Sequence, residues 1–143
     1  MRAIVEIKMA DILDSRQRSE LMRRVRTRGT APELAVRRLL HAEGYRFRVH
    51  PRELPGTPDI VLPRFRTAVF VHGCFWHGHR NCSAAKRPQT NVDFWNVKID
   101  NNIARDKRIV RALRKDGWRV IVVWECEIQR WTELPPKLRI RTT

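Results

Sequence analysis

Thr67-Ala68-Val69-Phe70-Val71, continued by His72-Gly73-Cys74-Phe75-Trp76-His77-Gly78-His79-Arg80-Asn81-Cys82, is the stretch on which the reading of this chain turns. Its first five residues read as a strand buried on both faces, with no polar alternation to mark a wet side. Downstream, Trp95, Ile99, Ile103, Val110 and Leu113 fall on or near one helical stripe, predicting a helix from about Val92 to Asp116 that stops at Gly117. Trp118 to Trp124 (WRVIVVW) is again strand-like. A strand, a long helix and a further strand predict a parallel crossover unit.

Upstream, Asp59-Ile60-Val61-Leu62 begins a strand, and the turn Pro63 to Arg66 makes it a hairpin partner of Thr67 to Val71. Tyr45, Phe47 and Val49 alternate with Arg46, Arg48 and His50, the period of a half-buried strand with a basic outer face. Before that, Thr30-Ala31-Pro32-Glu33 carries helix-start signals: a capping threonine, a first-turn proline and a glutamate placed for a capping box. This helix is expected to end near Glu43, at Gly44. The fold class expected is α/β in one domain spanning residues 30–134, flanked by a basic N-terminal arm over 9–29 and a basic C-terminal tail over 135–143.

The chain has 143 residues, enough for one domain with one core. Its 30 Lys and Arg against 15 Asp and Glu leave a formal charge of +15, spread along the chain. Such an excess attracts polyanions, nucleic acid first, although ribosomal and other generally basic proteins share it. No run approaches the roughly 18 apolar residues of a membrane-spanning helix, and the opening MRAIVEIK is no signal peptide. With an odd number of cysteines, 3 in all, a disulfide framework is not indicated. The expected location is a reducing, cytoplasmic one.

Cys74, His79, Cys82 and Cys126 make a Cys3His set of the kind that holds zinc tetrahedrally. His72 and His77 are then left over, either as loop or supporting groups or as reacting ones; a rigidly held His77 suits a general base toward water attacking phosphorus. Asp59 follows Leu54-Pro55-Gly56-Thr57-Pro58. It reads either as a turn aspartate bonded to its own loop or as a carboxylate beside the end of the third strand. There, with a backbone carbonyl and an imidazole, it suits Mg²⁺-assisted phosphodiester hydrolysis. Phe75-Trp76 are read as an exposed aromatic pair that stacks on bases or wedges between them, while Trp95 is equally readable as core. Glu33 serves its capping box or orients metal-bound water.

Arg18-Ser19 with Met22-Arg23, Thr30-Ala31-Pro32-Glu33, Leu54 to Asp59, Val69 to His77, Phe94-Trp95, Asn102 with Arg105-Asp106, Gly117 to Val120 and Trp124-Glu125-Cys126 together resemble the very-short-patch repair (Vsr) endonucleases. These enzymes nick one strand of DNA at a T:G mismatch. The matching stretches keep their order from Met9 onward. The resemblance implies a PD-(D/E)xK nuclease-like, restriction-endonuclease-like fold, a mixed central sheet flanked by helices with a structural zinc site. It implies Asp59 and the main-chain carbonyl of Val71 as Mg²⁺ ligands, and His77 as the catalytic histidine. Glu33, His72, Asn102 and Asp106 become supporting groups around metal-bound water. It also implies zinc on Cys74, His79, Cys82 and Cys126, and Phe75, Trp76 and Trp95 wedged into the duplex while Met22 approaches from the other groove.

Three departures stand out. Val71 replaces a threonine common in the family, the step from His79 to Cys82 is one residue longer, and residues 1–8 fall outside the match. The partner expected is double-stranded DNA with a T:G mismatch, met by a monomer, with other repair proteins possible. Two alternatives stay open from the sequence: a restriction-like endonuclease or nickase on matched or modified DNA, and a non-catalytic zinc-stabilised DNA-binding module.

Overall fold

The computed structural model describes Arg16 and residues 29–140. The elements run α1 (Ala31–Ala42), β1 (Arg48–Val49), β2 (Ile60–Leu62), β3 (Thr67–His72), α2 (Val92–Lys115), β4 (Arg119–Trp124) and a short α3 (Glu125–Ile128). The four strands form one sheet in the order β1-β2-β3-β4. β1 and β2 pair antiparallel, as do β2 and β3, whereas β3 and β4 run parallel, with Thr67 opposite Arg119 and His72 opposite Trp124. The hairpin and the crossover expected from the sequence are both present, and the sheet is mixed. The strand expected over Tyr45 to Val49 is shorter: only Arg48–Val49 pair, because β2 itself offers a short edge.

The period-2 alternation of strands sorts the core into two layers. Ile60, Leu62, Val69 and Val123 face α1, packing with Val36, Leu40, Ile128, Leu134, Leu138 and Ile140. Val61, Ala68, Phe70 and Val120 face the other way, onto Leu113 of α2. With a helix on each face, β2 has no wet side, and all three of its residues are buried.

One expectation needs correction here. Residues 135–140, assigned to a basic tail, belong to the domain: Leu138 and Ile140 are in the core, and the Tyr45 hydroxyl donates to the Ile140 carbonyl at 2.8 Å. Apolar Leu138 and Ile140 between cationic neighbours are what the charge of this segment masked. The basic arm, including Met22, lies outside the described residues apart from Arg16 and Gly29. Among the described residues no helix is long and apolar enough to cross a membrane.

The wound loop after β3 is held against α2 by a small residue. Gly78 has φ +59, and a Cβ there would sit 2.6 Å from Ile103 Cδ1. Only glycine meets both the left-handed backbone and the close approach.

Candidate active site and metal-ligand cluster

β3 outruns its hairpin partner. Leu62 to Ile60 pair with Thr67 to Val69, leaving the Val71 N–H beyond the end of β2. Asp59, the residue just before β2, fills that gap: its Oδ2 accepts from the Val71 N–H at 2.7 Å. The carboxylate is thereby fixed at the very end of the strand that continues into the histidines.

Burial, foremost, pushes the Asp59 carboxyl up to about 7; the Val71 N–H opposes this and the neighbouring Glu33 carboxyl adds to it. Glu33 arrives from the first turn of α1 and is only 2% exposed. The Thr30 hydroxyl accepts from the Glu33 N–H at 3.5 Å, one half of the expected capping box. In the other half, the Glu33 carboxylate takes the N–H of Gly29 at 2.8 Å, one residue before the cap. It also binds the Arg37 guanidinium and lies 3.2 Å from His50 Nε2. One ligand atom each from Glu33, His50 and Asp59 fall within 4.8 Å of one another.

A second cluster lies on the α2 side of the same strand end. His77 Nδ1 is 2.6 Å from Asp106 Oδ2. The His77 ring stacks on His72, centroids 3.8 Å apart and 4° from parallel. His72 closes β3; burial first, and then the His77 imidazole, hold its pKa down to about 3, against the opposing pull of Asp106. Its Nδ1 is buried with no protein partner among the described residues. Asn102 donates from Nδ2 to the Trp76 carbonyl at 3.0 Å, tying the wound loop to α2.

The third cluster is Cys74, His79, Cys82 and Cys126, whose ligand atoms also lie within 4.8 Å of one another. Cys126 Sγ is 3.5 Å from His79 Nδ1. Burial pushes the Cys74 thiol up to about 12. The parallel register explains how residue 126 comes here, since β4 ends beside His72 and the first turn of α3 follows at once. Between His79 and Cys82 the loop turns at Asn81, at φ 54, a left-handed position that asparagine tolerates. Trp124 joins the clusters: His79 stacks on its face at 4.1 Å and His72 meets its edge at 5.2 Å.

The exposed aromatic pair is half wrong. Phe75 is 5% exposed and Trp95 fully buried, in edge contact at 5.4 Å, and only Trp76 is partly open. The loop winds back on itself, with His79 N–H on the Cys74 carbonyl at 3.0 Å, which turns Phe75 inward onto α2. Phe94, 42% exposed, presents a further aromatic surface beside Trp95. Reading the sequence missed His50 and Arg37 altogether; the one available signal for His50 was its place at the end of the β1 alternation.

A mixed sheet that gathers a carboxylate and two imidazole clusters at one strand end, beside a set of thiols, has the layout of a nuclease-like α/β enzyme. The chain belongs to the Vsr family, DNA mismatch endonucleases, whose model matches residues 10–84. It is accordingly a DNA endonuclease. It is 52% identical over 131 residues to the type II nicking enzyme V.XorIIP of Xanthomonas oryzae, covering 92% of this chain and 96% of that one. It is 46% identical over 121 residues to the DNA mismatch endonuclease Vsr of Escherichia coli, covering 85% and 77%. With the type II nicking enzyme V.NmeAIP of Neisseria meningitidis it shares 44% over 121 residues, covering 85% and 86%.

Proposed function

We propose that this protein nicks one strand of duplex DNA at a T:G mismatch by metal-assisted phosphodiester hydrolysis. The observation that carries the hydrolytic reading is the 2.6 Å contact of His77 Nδ1 with Asp106, a strand end away from Asp59. An Nδ1–H donated to the Asp106 carboxylate leaves Nε2 as the free base. His77 Nε2 then takes a proton from water as its oxygen attacks phosphorus, and the P–O bond to the leaving sugar breaks; that oxygen is protonated from solvent. Asp106 holds the tautomer and offsets the charge His77 acquires. His72, kept neutral, fixes the plane of the His77 ring without repelling the imidazolium.

Asp59 and the Val71 carbonyl would hold Mg²⁺, with Glu33 orienting its water; buried oxygen donors suit this hard ion, which supplies Lewis-acid polarisation of the phosphate when bound. Three thiols and one imidazole suit zinc in a closed tetrahedral structural site. That site would keep the wound loop in register with Trp124. The exposed cations of α2, among them Arg105, Arg108, Arg111 and Lys115, offer a basic stripe for the phosphate backbone. Trp76, the partly open member of the aromatic group, would enter the duplex, with Phe75 and Trp95 as its buttress.

Purified protein incubated in Mg²⁺ with a T:G heteroduplex and its T:A control tests this reading. Nicking confined to the heteroduplex supports it. The names of two relatives, type II nicking enzymes, favour a second reading in which matched or modified DNA is cut; equal cleavage of both duplexes selects it. Cleavage of neither duplex rejects hydrolysis at this site.

A further inference from the structure

Arg37 Nη2 lies against the Glu33 carboxylate and 3.3 Å from His50 Nε2. The guanidinium donates to the carboxylate, and His50 Nε2 sits between the two, also 3.2 Å from Glu33 Oε1, so its role there follows its tautomer. Glu33 and His50, with Asp59, bring their ligand atoms within 4.8 Å of one another. Arg37 Nε is itself buried without a partner among the described residues, so the guanidinium is incompletely satisfied where it lies. His50 reaches the cluster from just past β1 at φ 49, a left-handed conformation uncommon for residues with a side chain. Its N–H is tied to the Asp59 carbonyl at 3.4 Å. Its side chain is only 12% exposed. The short β1 edge thus delivers an imidazole nitrogen to the buried Glu33 carboxylate and the half-buried Asp59 carboxylate, at a point where a cationic group already sits.

We propose that His50 is a nitrogen ligand of the divalent ion at the Asp59–Glu33 pair, so that this site holds Mn²⁺ more tightly than Mg²⁺, with Arg37 as the cation the ion displaces. The inference rests on the nuclease reading of Asp59 and goes beyond it in naming a residue and an ion preference. Mg²⁺ takes oxygen donors and keeps its waters, whereas imidazole suits first-row transition ions. An all-oxygen site would gain nothing from a histidine here. A mixed site gains selectivity.

The test is Mn²⁺ binding to the zinc-loaded protein, followed by calorimetry and by pulsed electron paramagnetic resonance, which reads nitrogen coordinated to manganese. Wild-type protein is expected to bind Mn²⁺ more tightly than Mg²⁺ and to show nitrogen coupling. His50→Gln should lose that coupling and weaken Mn²⁺ binding by about tenfold or more, with Mg²⁺ binding changed far less. His77→Ala should retain the coupling, which separates this site from the neighbouring histidine cluster. Arg37→Ala should bind Mn²⁺ more tightly, because the competing cation is gone, and it keeps the proposal testable if His50→Gln folds poorly. Bound Mn²⁺ without nitrogen coupling in wild type, or coupling that survives His50→Gln, overturns the proposal and leaves the nuclease reading standing. Nitrogen-coordinated Mn²⁺ in a protein that cuts no DNA would instead overturn the nuclease reading alone.

Discussion

His72 and His77 lie face to face, ring centroids 3.8 Å apart and 4° from parallel, at the point where β3 gives way to the wound loop. Two imidazoles this close cannot both carry a proton cheaply, and burial decides which stays neutral. His72 is the one buried at 7% exposure.

His72 is therefore expected to remain neutral throughout the working pH range. Its folded pKa is depressed from 6.5 to about 3, so its contribution to stability is present above pH 6.5 and is lost as pH falls through about 3. Imidazole resonances followed by NMR should show no titration of His72 between about pH 5 and 8. A midpoint near the ordinary histidine value would refute the assignment.

Asp59 works in the opposite sense in metal-free protein. Its folded pKa is raised from 3.8 to about 7, so its contribution is full below the lower value and lost as pH rises through the upper one. The size is on the order of a few kcal/mol. Since His72 gains over much of the same window, the wild-type curve alone hides both; Asp59→Asn should abolish the loss between about pH 4 and 7. Urea unfolding of both proteins across that range measures it, and parallel curves would remove Asp59 as the source.

Asp106→Asn should leave the fold and DNA binding intact while lowering the nicking rate by about two to four orders of magnitude. The substitution keeps shape but loses the carboxylate that holds the His77 tautomer. Single-turnover kinetics with DNA in excess of Kd checks it. A rate within a few-fold of wild type would take Asp106 out of the mechanism.

Trp76 and Trp95 should separate cleanly. Trp95→Ala, at a fully buried position, should cost about 3–5 kcal/mol of stability. Trp76→Ala should cost well under that and instead reduce discrimination between the T:G and T:A duplexes. Thermal melts and paired cleavage assays read the two effects. A large stability loss from Trp76→Ala would make that side chain a core residue too.

With zinc held as proposed by the Cys3His cluster, Cys126→Ser should release it and lower the melting temperature, measured by metal analysis and a thermal scan. Nicking should fall as well, since His79 and His72 both rest on Trp124. Unchanged metal content would show that Cys126 is no ligand.

The legible parts of this chain were those governed by local periodicity or by rare residue types. Val69 to Val71 and Ile60 to Leu62 announce a buried hairpin, and three cysteines with one histidine announce a cluster, because few other arrangements satisfy them. Phe75 was misread because the direction of a loop side chain depends on how the loop winds, which the Cys74–His79 hydrogen bond sets and no periodicity records. His50 was missed for a similar reason. Its approach to Glu33 spans 17 positions and depends on a left-handed backbone that histidine seldom adopts. Leu138 and Ile140 were hidden by the charges around them.

The parallel pairing of β3 with β4 sets the order in which the parts of this strand end are made. Asp59, His72, His77 and Asp106 all precede β4, yet the strand end that orders them has Trp124 as its neighbour and Cys126 beyond it. A growing chain thus carries the side chains proposed to react before the strand that flanks them, and the closure of β3 onto β4 is a long-range pairing. Until β4 exists, the end of β3 lacks its parallel partner and the Trp124 ring on which His72 and His79 rest.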